Sequence, residues 1–205
     1  MKILNLYSGI GGNRKLWGDE DDITAVELDP KIAAIYQDFF PKDKMIITDA
    51  HQYLLEHFKE YDFIWSSPPC QSHSRARFWG SFGEGLSIIY PDMKLYQEIL
   101  LMANYCRKIR WAVENVKPYY SPLIKAIAVG RHLVWSNFHI PRREGKAFFF
   151  PKDSLPTLQK KYGVDLSGLD HTMNKRVILR NMVEPETGLY IFNQMKLSLK
   201  KVVLL

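Results

Sequence analysis

Apolar runs and amphipathic stretches alternate through the first two thirds of the chain. Five short apolar runs have the composition of buried strands, and they occupy residues 3–7, 22–28, 45–48, 61–66 and 110–114. Three stretches between them have helical spacing, and they occupy residues 30–40, 50–59 and 91–108. The first and last of these begin with proline, which suits the first turn of a helix. The alternation predicts βαβ units and therefore an α/β fold with a doubly wound, mostly parallel sheet.

The pattern loosens in the last third of the chain. A sixth strand is predicted over residues 132–140, after a polar connector. Prolines and glycines then interrupt the sequence until a further helix is predicted over residues 185–195. The chain therefore divides into a regular α/β part, an irregular segment over residues 141–176 and a C-terminal segment.

The composition is that of an ordinary globular protein, with 46% hydrophobic and 24% charged residues among 205. No apolar run approaches the roughly 18 residues of a membrane span, and the first residues predict a strand, not a signal peptide. The two cysteines, Cys70 and Cys106, make no disulfide framework, and no Cys/His cluster has zinc-ligand spacing. We therefore expect a cytosolic protein with reduced thiols, no bound metal and no membrane partner.

The net charge of the chain indicates a class of binding partner. A net charge of +6 favours a polyanionic partner, although an excess of lysine also serves solubility. The irregular segment over residues 141–176 holds eight basic and four acidic residues, so it supplies +4 of that charge. This segment is the predicted contact for a polyanion.

Polar residues follow the first three predicted strands. The first precedes the stretch LYSGIGGNR, whose glycines allow a tight turn, although their spacing differs from the dinucleotide fingerprint. The second ends near Glu27, which can accept hydrogen bonds from ribose hydroxyls. The third ends near Asp49, which can accept from an exocyclic amine. Either acid alone could instead cap a helix. Together, the three strand ends predict a pocket for an adenosine-containing ligand without a diphosphate.

Two reactive side chains accompany the fourth and fifth predicted strands. Cys70 lies in SSPPCQSHS, where two prolines end the strand, and it is as consistent with a buried filler as with a nucleophile. Glu114 lies in WAVENVKP, at the inner end of an apolar strand, where an unpaired charge is costly. We expect such a site to raise the pKa of Glu114 and to suit it to donate a proton. Both residues are predicted to face the carboxyl edge of the sheet.

These segments, in their order along the chain, closely resemble the DNA (cytosine-5)-methyltransferases. LYSGIGG is similar to the family's glycine turn, VELDP to its ribose-binding motif and TDA to its adenine-contacting motif. PPCQSHS is similar to its Pro-Cys-Gln nucleophile loop, and ENV to its Glu-Asn-Val motif. The resemblance covers residues 3–117. It implies a Rossmann-like methyltransferase fold and S-adenosylmethionine as the cofactor.

The resemblance is partial beyond residue 117. The family's Gln-x-Arg-x-Arg motif is reduced to GRHLVWSNF, in which Arg131 stands for the last arginine. RNMVEPETG is similar to the family's Gly-Asn-(Ser/Ala)-Val-Pro-Pro stretch, with Arg180 where glycine is usual. The resemblance implies a catalytic, S-adenosylmethionine-binding domain over residues 1–140, a reduced target-recognition segment over residues 141–176, and a segment over residues 177–205 that returns to the catalytic domain.

The resemblance also implies a role for each matching residue. Cys70 would add to C6 of cytosine, Glu114 would contact N3 and the 4-amino group, and Arg131 would donate to O2. The implied catalytic residues are Cys70, Glu114, Asn115 and Arg131. The implied cofactor-binding residues are Tyr7, Ser8, Gly9, Ile10, Gly11, Gly12, Glu27, Leu28, Asp49, Ala50, Pro69, Asn181 and Val183. The implied DNA contacts are Gln71, Ser74, Arg75, Arg77, Arg142 and Arg143.

The implied activity is methyl transfer to C5 of cytosine in double-stranded DNA, with the target base flipped out of the duplex. A second subunit would supply any missing target recognition, and a cognate restriction enzyme would accompany the protein in a bacterial or phage-infected cell. Two alternatives remain open. Relatives with the same motifs act on tRNA cytosine, and a non-catalytic DNA-binding subunit of a split methyltransferase would keep the fold without turnover.

Overall fold

The computed structural model describes residues 1–82, 86–144, 154–169 and 172–202. Its strands are β1 (Lys2–Leu6), β2 (Asp22–Glu27), β3 (Lys44–Ile47), β4 (Phe63–Ser66), β5 (Arg110–Val116), β6 (Ile127–Gly130), β7 (His132–Ser136) and β8 (Arg143–Glu144). They form one eight-stranded sheet in the order β3-β2-β1-β4-β5-β7-β6-β8. Strands β1 to β5 pair in parallel, whereas β7 is antiparallel to both β5 and β6. The predicted fold class is therefore confirmed.

The helices are α1 (Pro30–Phe39), α2 (Ala50–His57), α3 (Arg75–Gly80), α4 (Lys94–Tyr105), α5 (Leu155–Tyr162), α6 (Lys175–Asn181) and α7 (Pro185–Val202), with a short 3-10 helix over Phe58–Glu60. Most begin at a side-chain cap, as α1 does where Asp29 accepts from the backbone N–H of Lys31. Helix α4 begins three residues later than predicted, at a turn where the Asp92 carboxylate accepts from the N–H of Lys94. The C-terminal helix α7 is longer than predicted.

The prediction for the connector before the sixth strand was wrong. Its end is strand β6, which turns at Gly130 (φ +60°) and returns antiparallel as β7. Strand β7 stops at Ser136 and not at residue 140, because the Asn137 side chain takes over the hydrogen bonds there. Asn137 accepts from the N–H of Trp111 at 3.1 Å and donates to the carbonyl of Ile109 at 2.7 Å. Helices α3, α5 and α6 and strand β8 were not predicted.

Buried residues pack on both faces of the sheet. Ile64 of β4 packs with helix α4, whereas its neighbours Phe63 and Trp65 pack on the opposite face with helix α7. The Trp17 ring stacks on Phe192 of α7, with ring centroids 4.7 Å apart. Helix α7 therefore completes the core on one face.

The domain boundaries stay a prediction. Residues 145–153 and 170–171 of the expected recognition segment lie outside the described residues. Within the described ranges, no helix has both the length and the apolar character needed to cross a membrane.

Candidate active site

A cavity of about 560 Å³ opens at the carboxyl ends of the parallel strands. This volume lies within the range of small-molecule sites. The sequence-predicted residues that line it are Tyr7, Ser8, Gly9, Ile10, Gly12, Glu27, Pro69, Cys70, Gln71, Glu114, Asn115, Arg131, Asn181 and Val183. The sequence-predicted residues outside its lining are Gly11, Leu28, Asp49, Ala50, Ser74, Arg75, Arg77, Arg142 and Arg143.

The glycine turn after β1 is positioned by two acids, the half-buried Glu27 and the buried Glu98. The Glu27 carboxylate accepts from the N–H of Gly9 at 2.9 Å, and it also accepts from the two residues that follow it. Tyr7 has a φ of +53°, which is unusual for a residue with a side chain, and its hydroxyl donates to Glu98 at 2.5 Å. Both contacts position the turn against the cavity.

The turn offers a polar group to a ligand. The Ser8 hydroxyl oxygen is buried, lines the cavity wall and has no hydrogen-bond partner among the described residues. Such a group is completed by a bound polar ligand or by water. Together with the Glu27 carboxylate, it fits an adenosine-containing cofactor.

Asp49 serves as the cap of helix α2. Its carboxylate accepts from the backbone N–H groups of His51 and Gln52, at 2.8 and 3.3 Å, and from the Lys94 ammonium at 3.3 Å. Burial raises the pKa of Asp49, but these hydrogen bonds outweigh it and leave the pKa below its usual value. The contact between Asp49 and an adenine amine stays a prediction.

The nucleophile loop after β4 is fixed by hydrogen bonds from neighbouring segments. Asn115 donates from Nδ2 to the Pro68 carbonyl at 2.9 Å, and the N–H of His73 bonds to the Cys70 carbonyl at 3.1 Å. The loop therefore presents a half-buried Cys70 to the cavity. Burial and the nearby Glu114 charge raise the pKa of Cys70 to about 11, although Arg131 opposes this effect.

Glu114 is buried and paired, and its expected pKa shift was wrong. Its Oε1 contacts Nδ1 of His132, and its Oε2 accepts from the Ser67 hydroxyl at 2.9 Å. Burial alone would raise the pKa of Glu114, but pairing with His132, Ser67 and Arg131 lowers it. Glu114 is therefore an ionised acceptor and not a ready proton donor.

Arg131 joins the cavity to the C-terminal segment. Its guanidinium donates to the Met182 carbonyl at 3.2 Å, and it lies 3.7 Å from the Glu184 carboxylate. The same segment closes on the glycine turn, since a Cβ placed on Gly12 would collide with Met182 and the Val183 carbonyl. The segment that follows α6 therefore forms one wall of the cavity.

The predicted DNA contacts lie outside the cavity, apart from Gln71. Ser74 caps helix α3, Arg75 donates to the Pro118 carbonyl, and Arg77 donates to the Ser87 carbonyl. Arg142 lies 3.5 Å from Glu144, and Arg143 lies over the Tyr190 ring at 5.3 Å from its centroid. These residues have protein partners in the structure, and their DNA contacts stay predictions.

A comparison with known families matches part of the chain. Residues 1–99 match the family model described as C-5 cytosine-specific DNA methylase. The resemblance to the cytosine-5 methylases is confirmed. The cofactor expected from it, S-adenosylmethionine, is confirmed with it. The methylase match covers the glycine turn, Glu27, Asp49 and Cys70, whereas Glu114 and Arg131 lie beyond it.

One curated relative is the tRNA (cytosine(38)-C(5))-methyltransferase of Spodoptera frugiperda, which is 34% identical over 80 residues. The matched segment covers 36% of this chain and 24% of that protein, so the chain spans about a quarter of the relative's length.

Two solved structures are also similar. A mutant of Spodoptera frugiperda DNMT2 has a TM-score of 0.45 and 21% identity, covering 74% of this chain and 56% of that one. A putative DNA modification methyltransferase from an E. coli prophage has a TM-score of 0.40 and 20% identity, covering 59% of this chain and 33% of that one.

Proposed function

We propose that this chain transfers a methyl group from S-adenosylmethionine to C5 of cytosine in DNA. The observation that carries the proposal is one cavity lined by the glycine turn, Glu27, Cys70 and Glu114. The residues proposed to hold the cofactor therefore share one space with the proposed nucleophile and with the Glu114 carboxylate. This is the arrangement that methyl transfer to an unreactive ring carbon needs.

The chain's own residues account for the reaction at the base. Cys70 gives its proton to solvent in the cavity, and the thiolate forms a bond to C6 while the C5–C6 π electrons move to C5 and toward N3 and O2. After C5 has gained the methyl group, solvent accepts the C5 proton, the electrons of the C5–H bond re-form the C5–C6 double bond, and the C6–S bond breaks to release the thiolate. Ionised Glu114 accepts from the 4-amino group and orients the ring.

The cofactor would lie on the glycine turn. Ser8 and Gly9 would contact it through the hydroxyl and the backbone, and Glu27 would accept from its ribose hydroxyls. Asn181 and Val183 would close the site from the C-terminal segment. When bound, S-adenosylmethionine supplies an electrophilic methyl group.

Duplex DNA is the proposed substrate, since the matched family model describes DNA methylases and the chain carries a net charge of +6. The target base must leave the stack to reach the cavity, at a cost of about a few kcal/mol that protein contacts offset. We further propose that the protein works in the cytosol of a bacterial or phage-infected cell. A second subunit would supply target recognition there, and a restriction enzyme would cleave unmodified sites.

A tRNA cytosine is the second candidate substrate. It is favoured by the curated relative, whose name describes a tRNA methyltransferase. The small recognition segment is compatible with either polynucleotide, so the two candidates require a direct comparison.

The test is transfer of labelled methyl groups to a cytosine-containing duplex and to tRNA under matched conditions. We expect the duplex to be labelled, and a duplex with 5-fluorocytosine to trap the wild type covalently, because fluorine cannot leave C5 as a proton does. Cys70→Ser should abolish both results while cofactor affinity by calorimetry persists, since a hydroxyl is far less nucleophilic than a thiol. Label in tRNA alone would replace the DNA proposal, and turnover by the serine variant would contradict the mechanism.

A further inference from the structure

His132 is the one histidine among the described residues that line the cavity. Only 4% of its surface is exposed. Its Nδ1 contacts the Glu114 carboxylate, whereas its Nε2 is buried without a hydrogen-bond partner in the described part of the chain. A buried ring nitrogen with no partner costs free energy unless a ligand completes it. Nδ1 of the imidazole therefore has a hydrogen-bond partner, whereas Nε2 has none among the described residues.

The pairing with Glu114 determines what Nε2 can offer. An ionised carboxylate only accepts hydrogen bonds, so the Nδ1 atom must donate to it. Glu114 also accepts from Ser67, which fixes the carboxylate on its other oxygen. A doubly protonated imidazole has an N–H donor at Nε2, and the negative charge of Glu114 offsets the positive charge of the ring.

The reaction needs a donor at this place. Addition of the Cys70 thiolate to C6 spreads negative charge over N3 and O2 of the ring. Ionised Glu114 can accept from the 4-amino group but cannot offset that charge by donating. The resemblance assigned the O2 contact to Arg131, but the Arg131 guanidinium already contacts the Met182 carbonyl and the Glu184 carboxylate.

We propose that His132 is a further catalytic residue, whose Nε2 donates to the C2 carbonyl oxygen of the target cytosine while Nδ1 holds Glu114. This inference rests on the proposed function, because it names a contact to the same substrate. A donor placed before the charge develops stabilises the transition state without reorganisation. With this contact, Glu114 binds the 4-amino group and His132 binds the C2 carbonyl oxygen of the same cytosine.

Two substitutions separate this contact from a merely structural role. His132→Asn places an amide donor near the position of Nδ1, so it keeps the bond to Glu114 and loses Nε2. His132→Gln places its amide near the position of Nε2. We expect the rate of covalent adduct formation with a 5-fluorocytosine duplex to fall about 100-fold or more in His132→Asn and clearly less in His132→Gln. A role limited to holding Glu114 predicts the opposite order.

The matched control is His57→Asn. His57 forms a histidine–glutamate pair with Glu60, at 2.7 Å, on the surface and outside the cavity lining. It should keep the wild-type rate, and all three variants should keep the wild-type cofactor affinity by calorimetry. Equal adduct rates for His132→Asn and the wild type would overturn the inference.

A second measurement separates failure of the inference from failure of the proposed function. ¹⁵N NMR of the histidine rings in the full chain should show the His132 Nε2 signal move when the oligonucleotide binds, while the His57 signals stay. Binding with this shift but without any adduct would contradict the proposed function and support the contact. Binding with an unchanged Nε2 signal would overturn the contact, and absence of binding to both DNA and tRNA would overturn both.

Discussion

At the scale of single residues, the Glu114 charge influences the protonation of Cys70. Burial and the Glu114 carboxylate raise the pKa of Cys70 to about 11, whereas Arg131 acts in the opposite direction. Glu114 itself stays ionised because His132 and Ser67 support it. At neutral pH the thiol is therefore almost entirely protonated before substrate binds. The thiol of Cys70 is therefore a weak nucleophile before substrate binds, and its activation requires removal of its proton inside the cavity.

This relation predicts how fast Cys70 is alkylated by iodoacetamide. The rate should climb with pH until about 11, because only the thiolate reacts and its pKa is raised. Glu114→Gln removes the negative charge and lowers the pKa of Cys70. At pH values well below the pKa, a pKa that is one unit lower gives about tenfold more thiolate. The thiolate itself is then about threefold less nucleophilic. We therefore expect Glu114→Gln to react faster at pH 8, by roughly threefold for each unit by which the pKa falls, and Arg131→Gln to react more slowly, as measured by mass spectrometry.

The control for this measurement is Cys70→Ser, which reports the background from Cys106. Cys106 is fully buried, so it should react little in the folded chain. Thermal melts of each variant exclude unfolding as the cause of faster labelling. Slower alkylation of Glu114→Gln than of the wild type would show that its carboxylate does not raise the pKa of Cys70.

At the scale of elements, the order of the strands in the sheet brings residues that are distant in the sequence to one site. The strands of the α/β part were predictable because their apolar runs are short and bounded by polar residues, and parallel strands bring Glu27 and Cys70 to one edge. The His132–Glu114 pair was not predictable, because it depends on an antiparallel register that pairs Val116 with His132 and Glu114 with Val134. Diagonal neighbours on such a ladder come together only when the register is known. Strand β6 sets that register through the turn at Gly130. It has only 4 residues, which is too short for the sequence pattern to predict a strand.

The cap of helix α2 leads to a prediction at this scale. Asp49→Ala should lower the free energy of unfolding by about 1 kcal/mol, because two backbone N–H groups lose their acceptor. Asp49→Ser should stay near the wild type, because serine caps helices as well as aspartate does. Chemical denaturation measures both values. Calorimetry with S-adenosylmethionine then tests the contact implied by the resemblance, since an equal loss of affinity in both variants would support an adenine contact by the carboxylate.

At the scale of the whole molecule, the C-terminal segment forms a wall of the cavity although it is distant in the sequence from the glycine turn. Gly188 of helix α7 lies against the backbone of Asn13, and a Cβ placed there would come within 2.6 Å of the Asn13 Cα. Asn13 in turn donates to Asn5 of β1 at 2.8 Å. The glycine turn is thus clamped between strand β1 and helix α7. Stability and cofactor binding should respond together when this clamp is altered.

Gly188→Ala tests this coupling. Alanine in a helix is ordinarily about 1 kcal/mol more favourable than glycine, so a net loss of stability would come from the collision with Asn13. Because the facing atoms belong to the backbone and cannot rotate away, we expect unfolding free energy to fall by about 1–3 kcal/mol. Cofactor affinity should weaken as well, since the glycine turn must shift. Gly168→Ala is the matched control, because a Cβ there meets nothing within 4 Å. A Gly188→Ala variant more stable than the wild type, with unchanged affinity, would show that helix α7 does not clamp the turn.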